Sequence, residues 1–365
     1  MPADTDHDVL VIGGGQAGLA MGHALAATGQ DFVIFDAAAE IGSSWRRRWD
    51  SLRLFTPARH SSLPGLPFPG PADHLPGKDE VADYLATYAQ RFALPVRLGT
   101  TIRRLSHAEN GRFEAITDHG THTAGAVVAA TGPFQRPIIP AMAQQLAPDI
   151  VQLHTADYRN PGRLPSGPVL VVGAGNSGMQ IAEELARTHR VTLAVGARQP
   201  ALPQRLLGRD LFNWMELLHV MRVPADSGLG RRMRHRDPLI GTSLRRLRRQ
   251  GVIIRDRVTA VSETQVRTAD GHGITPATVV WATGYRPDYS WLDIPDAIGA
   301  NGWPRHTQGV STVPGLYFLG LPFQRNRGSA LLGWVGQDAA HMLRDMAIGK
   351  HTSVRHTTGA TDFGH

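Results

Sequence analysis

Two glycine triplets carry the chemistry that this sequence advertises. The first, Gly13-Gly14-Gly15-Gln16-Ala17-Gly18, follows an apolar strand signal at residues 8–12; the second, Gly173-Ala174-Gly175-Asn176-Ser177-Gly178, follows Val169–Val172. In each triplet the leading glycine permits a tight strand-to-helix turn, the middle one lets the backbone approach a pyrophosphate, and the last lets helix pack closely on strand. The opening turn of the helix then offers free N–H groups and a dipole that favours phosphate. Asp36, 18 positions past Gly18 at the end of the next strand, can accept hydrogen bonds from a ribose 2′-hydroxyl. The second unit has no acid at the matching place, where Val195-Gly196-Ala197-Arg198 stands, and an arginine attracts the 2′-phosphate that a carboxylate repels. These endings point to FAD at the first unit and NADPH at the second, with a hydride path between them.

The elements that must position these turns repeat. A helix pattern at 19–28 and a strand pattern at 31–35 follow the first triplet; a helix pattern at 179–188 and a strand pattern at 191–195 follow the second, 160 residues later. That interval is too long for a solenoid repeat and suits two nucleotide-binding domains. A helix is predicted over 78–92, then short strands at 96–98, 113–117 and 125–129 with hairpin punctuation at Glu109-Asn110-Gly111 and Asp118-His119-Gly120. A parallel set follows the second triplet at 252–255, 258–262, 265–268 and 278–282. A last strand at 315–320, a helix over 330–348 and a polar, frayed end after Lys350 complete the expectation.

The 365 residues predict two domains, and 42% hydrophobic with 19% charged residues predicts a globular chain with a sizeable core. The absence of cysteine excludes disulfide frameworks, thiol nucleophiles, Cys-ligated metal and any redox-active cysteine pair. No HExxH spacing organises the 17 histidines, so no metal centre is expected. The blocks at 46–48, 231–236 and 245–249 make the chain basic, but no helix-turn-helix or aromatic RNA-binding pattern accompanies them. They read as solvated faces or counter-charge for nucleotide phosphates, with no nucleic-acid partner expected. The opening MPADTDHD lacks a signal-peptide pattern and no apolar run approaches a membrane span, so a cytoplasmic location is the expectation. Between 201 and 240 an apolar-rich stretch places Leu211, Met215 and Leu218 at helical spacing; a lid over a substrate cavity, a homodimer surface and an ordinary packed helix are all open readings.

Further runs bring a resemblance into view. Ile41-Gly42-Ser43-Ser44-Trp45, Trp49-Asp50-Ser51-Leu52-Arg53-Leu54-Phe55-Thr56-Pro57 and Leu63-Pro64-Gly65-Leu66-Pro67-Phe68-Pro69 resemble, in sequence and spacing, the class B flavin monooxygenases. That group takes in the flavin-containing monooxygenases, the plant YUCCA type and the bacterial CzcO-like proteins. Ala130-Thr131-Gly132-Pro133-Phe134, Ala282-Thr283-Gly284-Tyr285 and Gly315-Leu316-Tyr317-Phe318-Leu319-Gly320 are similar as well, so the likeness spans nearly the whole chain. Two places depart from the group. Pro148 and Ile150 occupy the Phe and Gly positions of the linker signature that ends in His154, and no asparagine stands in the segment 54–57.

The resemblance implies an α/β fold of two Rossmann-like domains, the NADPH domain (156–286) inserted into an FAD domain built from 1–155 and 287–365. It implies FAD contacts from Gly13, Gly15, Gln16, Ala17, Gly18, Asp36, Trp45, Arg53, Ile102, Ala130, Thr131, Gly132, Gly320 and Leu331. NADPH contacts are implied from Gly173, Gly175, Asn176, Ser177, Gly178, Arg198, Ala282, Thr283, Gly284 and Tyr285. The implied reaction is a monooxygenation of a small organic substrate with O2, through a peroxide formed at flavin C4a. Little acid–base machinery is asked of side chains there; Arg53 is the one candidate for a charged group near the isoalloxazine, and His154, in the linker, takes a structural hydrogen-bonding role rather than a catalytic one. An NADPH oxidase or flavin-mediated reductase, and a non-catalytic flavin-binding redox sensor, are the alternative classes. The disulfide-reductase branch is excluded because its electrons leave through a cysteine pair.

Overall fold

Alternating burial of β-branched and aliphatic residues builds the first half of the molecule. A computed structural model describes residues 5–197, 199–235 and 238–357. It opens with β1 (Thr5–Ile12), α1 (Gln16–Ala26) and β2 (Phe32–Phe35), followed by the short α2 (Ser43–Arg46) and α3 (Lys78–Arg91). Then come β3 (Val96–Arg97), β4 (Ile102–His107), β5 (Phe113–Thr117), β6 (Gly120–Ala129) and β7 (Arg136–Pro137). β1 lies parallel between β2 and β6. Because side chains alternate across a strand, Val9 and Val11 face one layer with α1, α3 and the last helix, while Leu10 and Ile12 face the other with Phe113, Leu292 and Phe318. β6 is longer than its apolar run suggests: residues 120–124 pair antiparallel with β5, and residues 122–129 run parallel to β1 on the other side.

The second half repeats the plan. β8 (Val151–His154), β9 (Val169–Val172), α4 (Asn176–Leu185) and β10 (Val191–Val195) are followed by the two-residue strands β11 (Ala201–Leu202), β12 (Arg205–Leu206) and β13 (Arg209–Asp210). α5 (Leu211–Leu217), α6 (Gly228–His235), β14 (Leu239–Ile240) and α7 (Leu244–Arg249) lead to β15 (Ile253–Asp256). An antiparallel trio, β16 (Val258–Val261), β17 (Val266–Thr268) and β18 (Gly273–Ile274), precedes β19 (Thr278–Trp281), and β20 (Tyr285–Arg286) pairs back with β7. The chain then returns to the first sheet with β21 (His306–Thr307), β22 (Val310–Ser311) and β23 (Leu316–Phe318), and closes in α8 (Val335–Thr357).

The duplication reaches the order of strands. The first sheet contains the path β3-β2-β1-β6-β23 and the second runs β15-β10-β9-β19-β8, so each strand has a counterpart in the same place. The fifth strand differs in origin: β23 comes from downstream of its sheet, whereas β8 comes from upstream. The stretch 151–154, expected in the first half, therefore hydrogen-bonds in the second sheet, with Trp281 opposite His154. α8 also departs from expectation, continuing past Lys350 to Thr357.

The segment 201–240 folds against the rest of the molecule on its inner side. Phe212 and Met221, both fully buried, and Leu211 and Met215 pack with Trp334, and Phe55 and Leu331 adjoin the cluster. A backbone bridge between Pro224 and Asn326 adds to this contact. Of the three readings open for this stretch, close packing describes its inner face.

Candidate functional site

Both glycine turns are shaped by contacts that only hydrogen allows. Gly13 stands at φ +107°, donates its N–H to Phe35 O (2.7 Å), and a Cβ there would lie 2.6 Å from Ala130 O. A Cβ on Gly18 would lie 1.8 Å from Gly13 O. Gly15, by contrast, has nothing within 4 Å of the place where its Cβ would stand, and it caps α1 without any side-chain hydrogen bond. The N-terminus of α1 thus keeps its N–H groups uncovered on an open side, the arrangement that a pyrophosphate requires.

Asp36 completes this turn. Its Oδ2 accepts from Gly14 N (2.6 Å) and its Oδ1 from Ala38 N (2.8 Å), which fixes the carboxylate beside the glycines. A carboxylate has about four acceptor sites, so capacity remains for ribose hydroxyls. Gln16 donates through Nε2 to Ala330 O (2.8 Å), and a Cβ on Gly320 would meet Ala17 Cβ at 2.8 Å, so the loop before α8 lies against the same helix end. Ala130 N bonds to Ile12 O (2.8 Å), and Thr131 Cα is close to Gly13. Gly132 follows at φ +71° with open space around it. Gly13, Gly15, Gln16, Ala17, Gly18, Asp36, Ala130, Thr131, Gly132 and Gly320 are therefore gathered at one turn, and their geometry fits a dinucleotide.

The second turn reproduces the first atom for atom in kind. Gly173 stands at φ +109° with its N–H on Ala194 O (2.9 Å), and its Cβ would lie 2.3 Å from Ala282 O. Gly178 has only 2.0 Å between such a Cβ and Gly173 O, while Gly175 is again open and caps α4 with no side-chain bond. Asn176 and Ser177, half-buried, form the first turn of α4. Thr283 Oγ1 donates to Ile138 O, and Gly284 turns the chain at φ +86°. Arg198 lies outside the described residues.

A seam joins the two halves around Tyr285. Arg48 donates to Tyr285 Oη (2.7 Å) and stacks its guanidinium 5.2 Å from the Tyr285 ring and 5.9 Å from that of Phe134. His154 meets Tyr285 edge-on at 4.8 Å. Its Nε2 donates to Gly284 O (3.0 Å) and its Nδ1 accepts from Ala156 N (3.1 Å), so the neutral Nε2–H tautomer satisfies both nitrogens. Burial pushes its pKa down, against the pull of Gly284 O and Asp157. These are the contacts of a structural histidine.

The remaining expected residues are more dispersed. Trp45 is half-buried in α2 against the first core. Arg53, 60% exposed, donates to Leu75 O (3.1 Å) and faces Glu80 at 3.9 Å, while its carbonyl accepts from Gln180 of α4 (3.4 Å). Ile102 is buried in the core on the other face of the first sheet, just past the Thr100 N–H that bonds Asp36 O (2.9 Å). Leu331 adjoins the cluster of Phe212 and Trp334. Sequence reading missed Arg48, which stood inside an arginine block read as solvated: Arg46 is bound by Glu40, Asp79 and Asp83, and Arg48 by aromatic rings. It also missed Phe55 and Trp334, stacked or tilted around Phe212 at 5.9 and 6.1 Å, whose proximity no local pattern announces.

Known proteins share this plan. The model of the pyridine nucleotide-disulphide oxidoreductase family matches residues 10–204. An uncharacterised CzcO-like oxidoreductase of Geobacillus kaustophilus is 45% identical, over 93% of this chain and 98% of its own. The indole-3-pyruvate monooxygenase YUCCA1 of Oryza sativa subsp. japonica is 28% identical over 92% of this chain and 90% of its own. Among solved structures, a flavin-containing monooxygenase from Stenotrophomonas maltophilia matches with a TM-score of 0.80 at 30% identity, over 94% of this chain and 99% of that one. The matched family takes its name from disulfide chemistry, yet this chain has no cysteine, so electrons leave its flavin by another route. The chain belongs to the pyridine nucleotide-disulphide oxidoreductase family and, within it, to the class B flavin monooxygenases, as a flavin-dependent enzyme of monooxygenase type.

Proposed function

We propose that the protein is an NADPH- and FAD-dependent monooxygenase that places one atom of O2 on a small organic substrate and releases the other as water. The observation that carries this reading is the pair of uncapped, Cβ-free helix starts in a chain without cysteine. In this reading residues 1–155 and 287–365 form the FAD domain and 156–286 the NADPH domain, except that β8 (Val151–His154) belongs with the NADPH domain, whose sheet it joins.

Gly13, Gly15 and Gly18 bring the α1 N–H groups to the FAD pyrophosphate, and Asp36 takes the adenosine ribose hydroxyls. Gln16, Ala17, Trp45, Arg53, Ile102, Ala130, Thr131, Gly132, Gly320 and Leu331 line the rest of that cofactor. Gly173, Gly175, Asn176, Ser177 and Gly178 hold the NADPH pyrophosphate, Arg198 its 2′-phosphate, and the run from Ala282 to Tyr285 borders its path. A bound flavin would supply the electrons that activate O2, and a bound NADPH the hydride that restores them. The protein's own task is to orient the two cofactors and to keep water out. The apolar cluster of Phe55, Phe212, Leu331 and Trp334 beside the flavin-facing run serves that second task. The name of the rice relative brings 2-oxo acids onto the substrate list, beside amines, sulfides and ketones.

Anaerobic mixing with NADPH or NADH, followed by aerobic turnover with each substrate class, tests the reading. NADPH should bleach the flavin faster than NADH, and one substrate class should yield oxygenated product in proportion to NADPH consumed. Hydrogen peroxide equal to the NADPH consumed, whatever substrate is added, would overturn the assignment in favour of an oxidase. Absence of flavin reduction would leave only the redox-sensor reading.

A further inference from the structure

Residues 201–249 contain eleven arginines and no lysine against four carboxylates, Asp210, Glu216, Asp226 and Asp237, an excess of seven that equals the +7 of the whole chain. The rest of the sequence is electrically balanced. The same segment carries five of the nine large apolar side chains exposed among the described residues: Leu206, Leu207, Leu217, Leu218 and Leu229. Charge and exposed apolar surface therefore coincide on one segment, although its inner side is already packed on Phe55 and Trp334.

Four of these leucines stand on two neighbouring elements, the β12–β13 hairpin and the end of α5. The Trp214 indole N–H donates to Leu206 O (2.9 Å), which ties α5 to the β12–β13 hairpin. Leu217 and Leu218 follow Trp214 by three and four positions on and just past α5, and so share its face. Two arginines lie beside them. Arg209 lies over the Trp214 ring at 5.8 Å, and Arg205 reaches Gly208 O (2.9 Å) at the hairpin tip.

The tip shows that the exposed leucine is not incidental. Leu206 pairs with Arg209, so Leu207 and Gly208 are the two residues of the loop, with φ of +51° and +76°. A two-residue loop with both φ positive is a type I′ turn, whose first position favours asparagine and disfavours leucine. Leucine nevertheless stands there, 84% exposed. Local propensity and solvation both argue against it, and an apolar partner outside the chain removes the solvation cost and offsets the conformational one.

We infer that this face docks the protein on an anionic lipid bilayer, Leu206, Leu207, Leu217 and Leu218 entering the acyl boundary, Arg205 and Arg209 lying at the phosphates and the arginine excess of the segment adding attraction at longer range. Trp214, with an apolar ring and a bonded N–H, suits the interfacial layer. A second copy of the chain is disfavoured, because a two-fold contact would set the arginine excess against itself. Nucleic acid would meet the arginines but leave the leucines without apolar cover. No helix among the described residues is long and apolar enough to cross a membrane, which makes the contact a peripheral one.

Flotation of the full chain with phosphatidylglycerol vesicles and, separately, phosphatidylcholine vesicles tests the inference. Binding should occur on the anionic vesicles alone and fall as salt is raised. Leu207→Asn should weaken it roughly tenfold through lost apolar burial. The same variant should keep or raise the melting temperature, because asparagine is favoured in that turn. No flotation, equal flotation on neutral vesicles, or equal binding by Leu207→Asn would overturn the inference. So would a dimer in light scattering that Leu207→Asn dissociates, or tighter binding to DNA than to the vesicles. Flotation requires no turnover, so its outcome is separate from that of the monooxygenase reading.

Discussion

Gly15 and Gly18 stand three positions apart in one turn and answer to different demands. Gly18 is inside α1, where alanine is ordinarily the better helix former by about 1 kcal/mol. Its Cβ, however, would stand 1.8 Å from Gly13 O, a backbone atom that cannot swing aside. Overpacking of this kind costs about 1–3 kcal/mol and reverses the sign of the propensity gain. Gly15 has an ordinary φ of −79° and open space, so alanine fits there as far as folding is concerned. Gly18→Ala should therefore lower the melting temperature of the cofactor-free protein. Gly15→Ala should leave it unchanged yet weaken FAD roughly tenfold, about 1.4 kcal/mol, because the methyl occupies the pyrophosphate side. Calorimetry and flavin fluorescence titration separate the two. A normal FAD affinity in Gly15→Ala would remove the first turn from the cofactor site.

At the scale of elements, His154 fastens the end of β8 to the loop beyond β19 through Gly284 O. Burial lowers its pKa from the ordinary 6.5. Below that value the unfolded chain takes up a proton that the folded one refuses, so stability is complete above pH 6.5 and falls as pH drops toward the lowered folded value. His154→Gln keeps a donor for Gly284 O without a titrating ring. The wild type should lose up to about 1.4 kcal/mol per pH unit more than this variant in that window. Parallel curves from denaturant unfolding would show that the ring does not titrate there. The membership of β8 in the second sheet was not legible in its four residues, because a short edge strand is placed by its partner. The glycine turns and the buried strands β1, β2, β9 and β10 were legible, since apolar runs stop at glycines whose spacing is dictated by a close approach. α5 was legible only as helical spacing, for its packing joins Phe212 to Phe55 and Trp334, far away in sequence.

For the molecule as a whole, the question is what makes two similar sheets behave as one body. The run 45–57 answers much of it, because its residues are divided between the cores: Leu54 lies in the first, Trp49 in the second, and Leu52 packs on both. Trp49 is 3% exposed among Tyr158, Val171 and Met179, and next to it Asp50 N bonds to Arg159 O (2.8 Å). This anchor belongs to a run of the first half yet is sunk in the opposite half, so removing it acts on the coupling between halves as well as on one core. Trp49→Ala should cost about 3–5 kcal/mol, the usual loss for a large buried aromatic. It should also make calorimetric unfolding of the variant show two transitions where the wild type shows one, as the second core melts before the first. The first glycine turn does not touch Trp49, so FAD affinity should persist, whereas reduction of the flavin by NADPH should slow because the two cofactors are no longer held in register. One transition, lowered but undivided, with unchanged reduction would show that the seam rests instead on Arg48 with Tyr285 and on the packing of Phe212 against Trp334.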